Sequence, residues 1–74
     1  MTKKFQILVV DDEESITFLL KTELEDLGGY DVDVALNGTE AINLLQSKIY
    51  DIVLLDIKMP RVSGIDVLKF ITEH

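Results

Sequence analysis

Three aspartates stand where two apolar runs end, and together they have the chemistry to hold a divalent cation. Asp11 and Asp12 follow Ile7-Leu8-Val9-Val10, and Asp56 follows Ile52-Val53-Leu54-Leu55. Brought into one place such acids repel, since two like charges 4 Å apart cost about 4 kcal/mol at an effective dielectric of 20. Raised pKa values, a basic side chain or a cation must offset that. With oxygen ligands only, no cysteine in the chain and no histidine nearby, a cation there is a hard one, Mg²⁺ first, retaining several waters. A magnesium-bound carboxylate cluster suits phosphoryl chemistry, because the ion neutralises charge on the transferring oxygens. An aspartate in such a cluster can also act as a nucleophile and form an acyl phosphate.

Residues 11 and 56 lie about 45 positions apart, so the fold must bring them together. The two apolar runs are continuous and rich in β-branched residues, as expected of parallel strands buried on both faces. Tyr30 to Ala35 alternates, with Tyr30, Val32 and Val34 against Asp31 and Asp33, which predicts a half-exposed edge strand. Between the strands, Ile16, Leu19, Leu20, Leu24 and Leu27 fall at helical spacing, and Gly28-Gly29 supplies a stop. Asn37-Gly38-Thr39-Glu40 resembles a capping box, followed by Ala41, Leu44 and Leu45 on the apolar face of a short helix ending near Lys48. A third helix is predicted from Ser63, with Ile65, Leu68 and Ile71 inward.

The order β-α-β-α-β-α implies a doubly wound α/β fold with a parallel sheet and helices on both faces. With the alternating strand at the edge, the strand order is 2-1-3. The first and third strands then flank a topological switch point, where open α/β sheets bind ligands beyond the carboxyl ends of their strands. Asp11, Asp12 and Asp56 converge there.

Composition narrows the function classes. The chain has 74 residues, 47% of them hydrophobic and 28% charged, a globular balance for one small domain. Its net charge of −7, from 14 acidic and 7 basic side chains, repels phosphate backbones and argues against nucleic-acid binding by this segment. No apolar run approaches the roughly 20 residues that span a membrane, so no membrane role is expected. The absence of cysteine fits the reducing cytoplasm, the expected location.

Taken together, these residues resemble a family. Ile7 through Glu13 is similar to the opening strand and acidic pair of receiver domains in two-component signalling. Ile52 through Pro60, followed by Gly64, resembles that family's phospho-acceptor strand and loop, and Asn37-Gly38 with Glu40-Ala41 its second-helix start. The resemblance implies a flavodoxin-like fold, with Asp56 as the phosphorylated residue. It implies Asp12 as a direct Mg²⁺ ligand, Asp11 as a ligand acting largely through water, and Lys58 as a ligand through its backbone carbonyl. Pro60 and Gly64 would shape the loop, and a histidine kinase or phosphotransfer protein would supply the phosphoryl group. The implied role is that of a signalling receiver and not an enzyme, beyond self-phosphorylation and dephosphorylation.

The same resemblance covers only the first three of the family's five strand-helix units. The Ser/Thr after strand four and the lysine after strand five have no counterpart here. A second expectation follows, that of a fragment unable to carry out phosphotransfer that folds by self-association, as a homo-oligomer joined through the third strand or an apolar face left bare by strands one and three. A haloacid-dehalogenase-type phosphohydrolase is the weaker rival, because Lys58 stands where that family places a second acid. No Asp-x-Asp-x-Asp-Gly loop for calcium is present, nor the glycine-rich turn of a dinucleotide site.

Overall fold

The computed structural model describes residues 4–56 and 64–73. Its elements alternate as expected: β1 (Phe5–Val10), α1 (Glu14–Leu27), β2 (Tyr30–Ala35), α2 (Gly38–Ser47), β3 (Ile52–Leu55) and α3 (Gly64–Glu73). The three strands form one sheet in the order β2-β1-β3, with both pairings parallel. The central strand β1 is the most buried, Ile7 through Val10 being at most 2% exposed.

Successive residues of β1 serve opposite faces, as the pleat requires. Leu8 and Val10 join Ala35, Ala41 and Val67 in a core against α2 and α3, with Val53, Leu55 and Ile71 packed around it. Ile7 and Val9 join Val32 beneath Leu20 and Leu24 of α1. The first face is closed. On the second, α1 covers β1 and β2 but leaves β3 bare, so Ile52 and Leu54 are 43% and 39% exposed. The expectation that β1 would also be bared fails, because α1 lies across it.

The helix boundaries have local causes. Gly28 and Gly29 adopt φ of 77° and 84°, a region that favours glycine, and the Gly28 N–H closes α1 on the Glu25 carbonyl at 3.1 Å. Asn37 Oδ1 accepts from the Glu40 N–H at 2.8 Å, as in a capping box. Glu40, however, reaches past the cap residue and accepts from the Leu36 N–H at 2.7 Å, an amide just beyond the end of β2. Two inward stripes differ from expectation. In α1, Thr17 is buried while Leu20 and Leu24 pack on the sheet, and Ile16, Leu19 and Leu27 are exposed. In α3, Val67 is buried and Ile71 packs beside it, whereas Ile65 and Leu68 are exposed.

Candidate functional site

Parallel pairing of β1 with β3 sets the site. Val10 lies opposite Leu55, so the next residue of each strand is an aspartate. The Asp56 N–H donates to the Val10 carbonyl at 2.9 Å, and the Asp11 N–H donates to the Ala35 carbonyl at 3.1 Å. Both backbones are therefore held one residue beyond the assigned strands. Asp11, Asp12 and Asp56 each offer a carboxylate oxygen, and these oxygens lie within 4.8 Å of one another. Asp11 and Asp56 are half-buried and Asp12 is exposed.

The acids also have structural duties. Asp11 Oδ1 accepts from the Glu13 N–H at 2.9 Å, fixing the turn into α1, whose cap residue Glu13 makes no side-chain cap of its own. Glu14 lies in the first turn of that helix, where its charge complements the dipole. The sequence places Glu13 and Glu14 beside the cluster, but the carboxylates that converge are those of residues 11, 12 and 56. Lys58, Pro60 and the predicted helix start at Ser63 lie outside the described residues, as does His74.

The donor set fits a hard divalent ion: three anionic oxygens at close range, one of them at an exposed side chain, leave room for retained waters. A cleft of about 390 Å³ adjoins them, lined by Asp11 and Asp56 at one end and by Val9, Leu20 and Leu54 along its wall. The arrangement combines an open mouth, a concentrated negative charge and an apolar flank.

A second polar cluster lies away from these acids. Asp33 Oδ2 accepts from Lys48 Nζ at 2.8 Å and from the Tyr50 hydroxyl at 2.6 Å. The Lys48 hydrogen bond, with that from Tyr50, holds the Asp33 carboxyl below its ordinary range. Burial, then the hydrogen bond to Asp33 and the Asp33 charge, push the Tyr50 hydroxyl up. This cluster fastens β2 to the segment between α2 and β3. In the sequence Asp33 reads as one polar residue of an alternating strand and Tyr50 as packing. No local signal marks the link, because the partners lie 15 and 17 positions apart.

Comparison with known proteins agrees with this fold. Residues 7–74 match the model of the response regulator receiver domain. The chain is 48% identical to the alkaline phosphatase synthesis transcriptional regulatory protein PhoP of Bacillus subtilis over 69 residues, covering 93% of this chain and 28% of that protein. It is 49% identical to the response regulator protein TrrA of Thermotoga maritima in complex with Mg²⁺-BeF, with a TM-score of 0.85 over 93% of this chain and 59% of that one. TrrA in complex with the histidine kinase ThkA superposes with a TM-score of 0.84 over the same shares. The chain thus spans less than a third of PhoP and rather more than half of TrrA.

Proposed function

Because the chain belongs to the response regulator receiver domain family, we propose that Asp56 is its phospho-acceptor and that Asp11 and Asp12 hold Mg²⁺ beside it. The observation that carries this reading is the convergence of acids from two strand ends, within 4.8 Å, at the mouth of an open cleft. A turn-forming role accounts for Asp11, which caps the Glu13 amide, but not for the arrival of Asp56 next to it. The Lys58 backbone carbonyl completes the proposed ligand set.

In the proposed step, a lone pair on an Asp56 carboxylate oxygen forms an O–P bond as the N–P bond of a phosphohistidine breaks. The electron pair of that bond stays on the departing imidazole. Mg²⁺, when bound, neutralises charge on the phosphoryl oxygens. The chain's own part is positional. The Asp56–Val10 backbone hydrogen bond aims the nucleophile, and the exposed Asp12 leaves the approach open to a donor. Support for a histidine kinase as donor comes from the complex that TrrA forms with ThkA, and support for Mg²⁺ from TrrA bound to Mg²⁺-BeF. The role proposed is signalling and not turnover of a substrate. The net charge of −7 argues that this segment does not itself bind nucleic acid. Among the described residues no helix is long and apolar enough to cross a membrane.

The test is acid-labile labelling by a small phosphodonor such as acetyl phosphate, with and without Mg²⁺, read by intact mass. A phosphoryl adduct that needs Mg²⁺ and disappears in Asp56→Asn is expected. Equal labelling of the two proteins would remove Asp56 from the mechanism.

A further inference from the structure

Strand β2 lies at an edge of the sheet, and one lysine closes the middle of that edge. The order 2-1-3 leaves β2 outermost, and in a flavodoxin-like sheet, ordered 2-1-3-4-5, further strands join beyond β3. The edge at β2 therefore belongs to the fold itself. Its outward groups follow from the pairing with β1. The Phe5 N–H donates to the Gly29 carbonyl at 2.9 Å and the Asp11 N–H to the Ala35 carbonyl at 3.1 Å. Odd-numbered residues of β2 thus face β1, and Tyr30, Val32 and Val34 turn their N–H and C=O groups outward. Val32 is nonetheless only 3% exposed. Helix α1 buries its side chain, and Lys21 closes its backbone: from α1, Nζ donates to the outward Val32 carbonyl at 2.7 Å. Glu25, one turn further along the helix, holds the same ammonium at 3.2 Å.

An open edge is a template for another strand, and the strand this one fits is its own copy. A two-fold axis at Val32 pairs that residue with Val32 of the second copy and Tyr30 with Val34, antiparallel. The outward residues are in register with themselves, and all are of types that suit strands. The same axis sets Asp31 opposite Asp33, but each acid carries its own cation, Lys4 at 3.8 Å and Lys48 at 2.8 Å. Those acids do not forbid the pairing. Lys21 does. It occupies the acceptor at the centre of the ladder, so pairing must break a charge-assisted hydrogen bond in each copy. Pairing must also bring two ammonium groups together at the axis, where they repel.

We propose that Lys21 is a guard: its ammonium seals the edge of β2 against β2 of a second copy, and removing that ammonium opens the edge as a dimer interface. This goes beyond the phospho-acceptor reading and does not depend on it. A bond that only fastened α1 to β2 would make its loss a change in stability alone. A guard makes its loss a change in association.

Two substitutions test it, both to good helix formers. Lys21→Met keeps an aliphatic stem over β2 and deletes the ammonium, whereas Lys21→Arg keeps a cation able to reach the carbonyl. Sedimentation over a concentration series and amide exchange read the outcome. Lys21→Met should self-associate at least about tenfold more tightly than wild type, the factor that 1.4 kcal/mol represents. Exchange at its Val34 amide should slow as concentration rises, and Lys21→Arg should behave as wild type. Association of Lys21→Met no stronger than that of wild type overturns the proposal, whether or not its urea midpoint falls. So does stronger association that leaves the Val34 amide unchanged, which would place the contact elsewhere. Lys21→Arg associating as tightly as Lys21→Met overturns it too, because the cation would then not be what seals the edge.

Discussion

Replacing Asp56 by asparagine should stabilise the fold without Mg²⁺ and remove the stabilisation that Mg²⁺ provides. Asparagine keeps the volume and one carbonyl oxygen but deletes a charge lying within 4.8 Å of carboxylate oxygens on Asp11 and Asp12. At that distance a pair of charges repels by about 0.9 kcal/mol in water and about 3.5 kcal/mol at an effective dielectric of 20. Asp11 and Asp56 are half-buried and Asp12 is exposed, so the Asp12 pair belongs near the water limit and the Asp11 pair between the two. After screening, the relief amounts to about 1–2 kcal/mol. With Mg²⁺ at ten times its Kd, wild type gains about 1.4 kcal/mol by mass action, and the variant gains little. The assay is urea unfolding at low ionic strength in EDTA and then in Mg²⁺, wild type against variant. The stabilisation in EDTA should shrink as salt is raised, because the Debye length falls to about 3 Å at 1 M. A variant less stable than wild type in EDTA, together with equal gains from Mg²⁺ in both proteins, would refute the reasoning.

Two further substitutions probe the scaffold. Tyr50→Phe removes the 2.6 Å hydrogen bond to Asp33 and should lower stability at pH 7 by about 1–2 kcal/mol, read from the urea midpoint. Asp33 is held below its ordinary pKa by its Lys48 and Tyr50 hydrogen bonds, so its contribution is present above about pH 4 and is lost as pH falls through the lowered value. The gap between wild type and variant should therefore narrow in acid. Tyr50, raised by burial and by Asp33, stabilises below about pH 10 and loses that contribution as pH rises beyond it. Gly29→Ala forces φ of 84° on a residue with a Cβ, and nothing within 4 Å meets that Cβ. The expected loss of about 1–2 kcal/mol is thus a backbone effect, and an unchanged thermal midpoint would contradict it.

The parts of the fold legible in the sequence are those where one local pattern has one physical outcome. Continuous apolar runs gave β1 and β3, and β1 is buried on both faces as such a run predicts. For β3 that expectation fails on one face among the described residues, where α1 does not reach and Ile52 and Leu54 are exposed. Two positive-φ glycines ended α1. The order 2-1-3 followed from the alternating strand being an edge. The inward faces of the helices were less legible. Apolar residues of α1 form a broad arc through Leu19, Ile16, Leu27, Leu20 and Leu24, with Phe18 on the opposite side, so periodicity alone does not choose which part of that arc faces inward. The sheet chose Thr17, Leu20 and Leu24, with the Thr17 hydroxyl satisfied by the Glu14 carbonyl at 2.9 Å. In α3 the choice of Val67 and Ile71 over Ile65 and Leu68 depends on contact with α2 and the sheet. The Asp33–Lys48–Tyr50 cluster was invisible for a related reason. Its members come from different elements, and only the finished packing makes them neighbours.

The site inherits an asymmetry from the sheet that carries it. Asp11 and Asp12 follow β1, which pairs on both sides and is buried on both faces. Asp56 follows β3, which pairs on one side only among the described residues and is half-covered. Local opening begins where buried apolar contact is least, so the β3 end is the first to yield. A divalent ion held jointly by Asp11 and Asp56 would link the strand with the fewest restraints to the strand with the most. The repulsion among the acids acts in the opposite sense, pushing the β3 end away from β1 when no cation intervenes. Cation binding and the order of β3 are on this argument one equilibrium, since the proposed site joins the less covered strand to the more buried one.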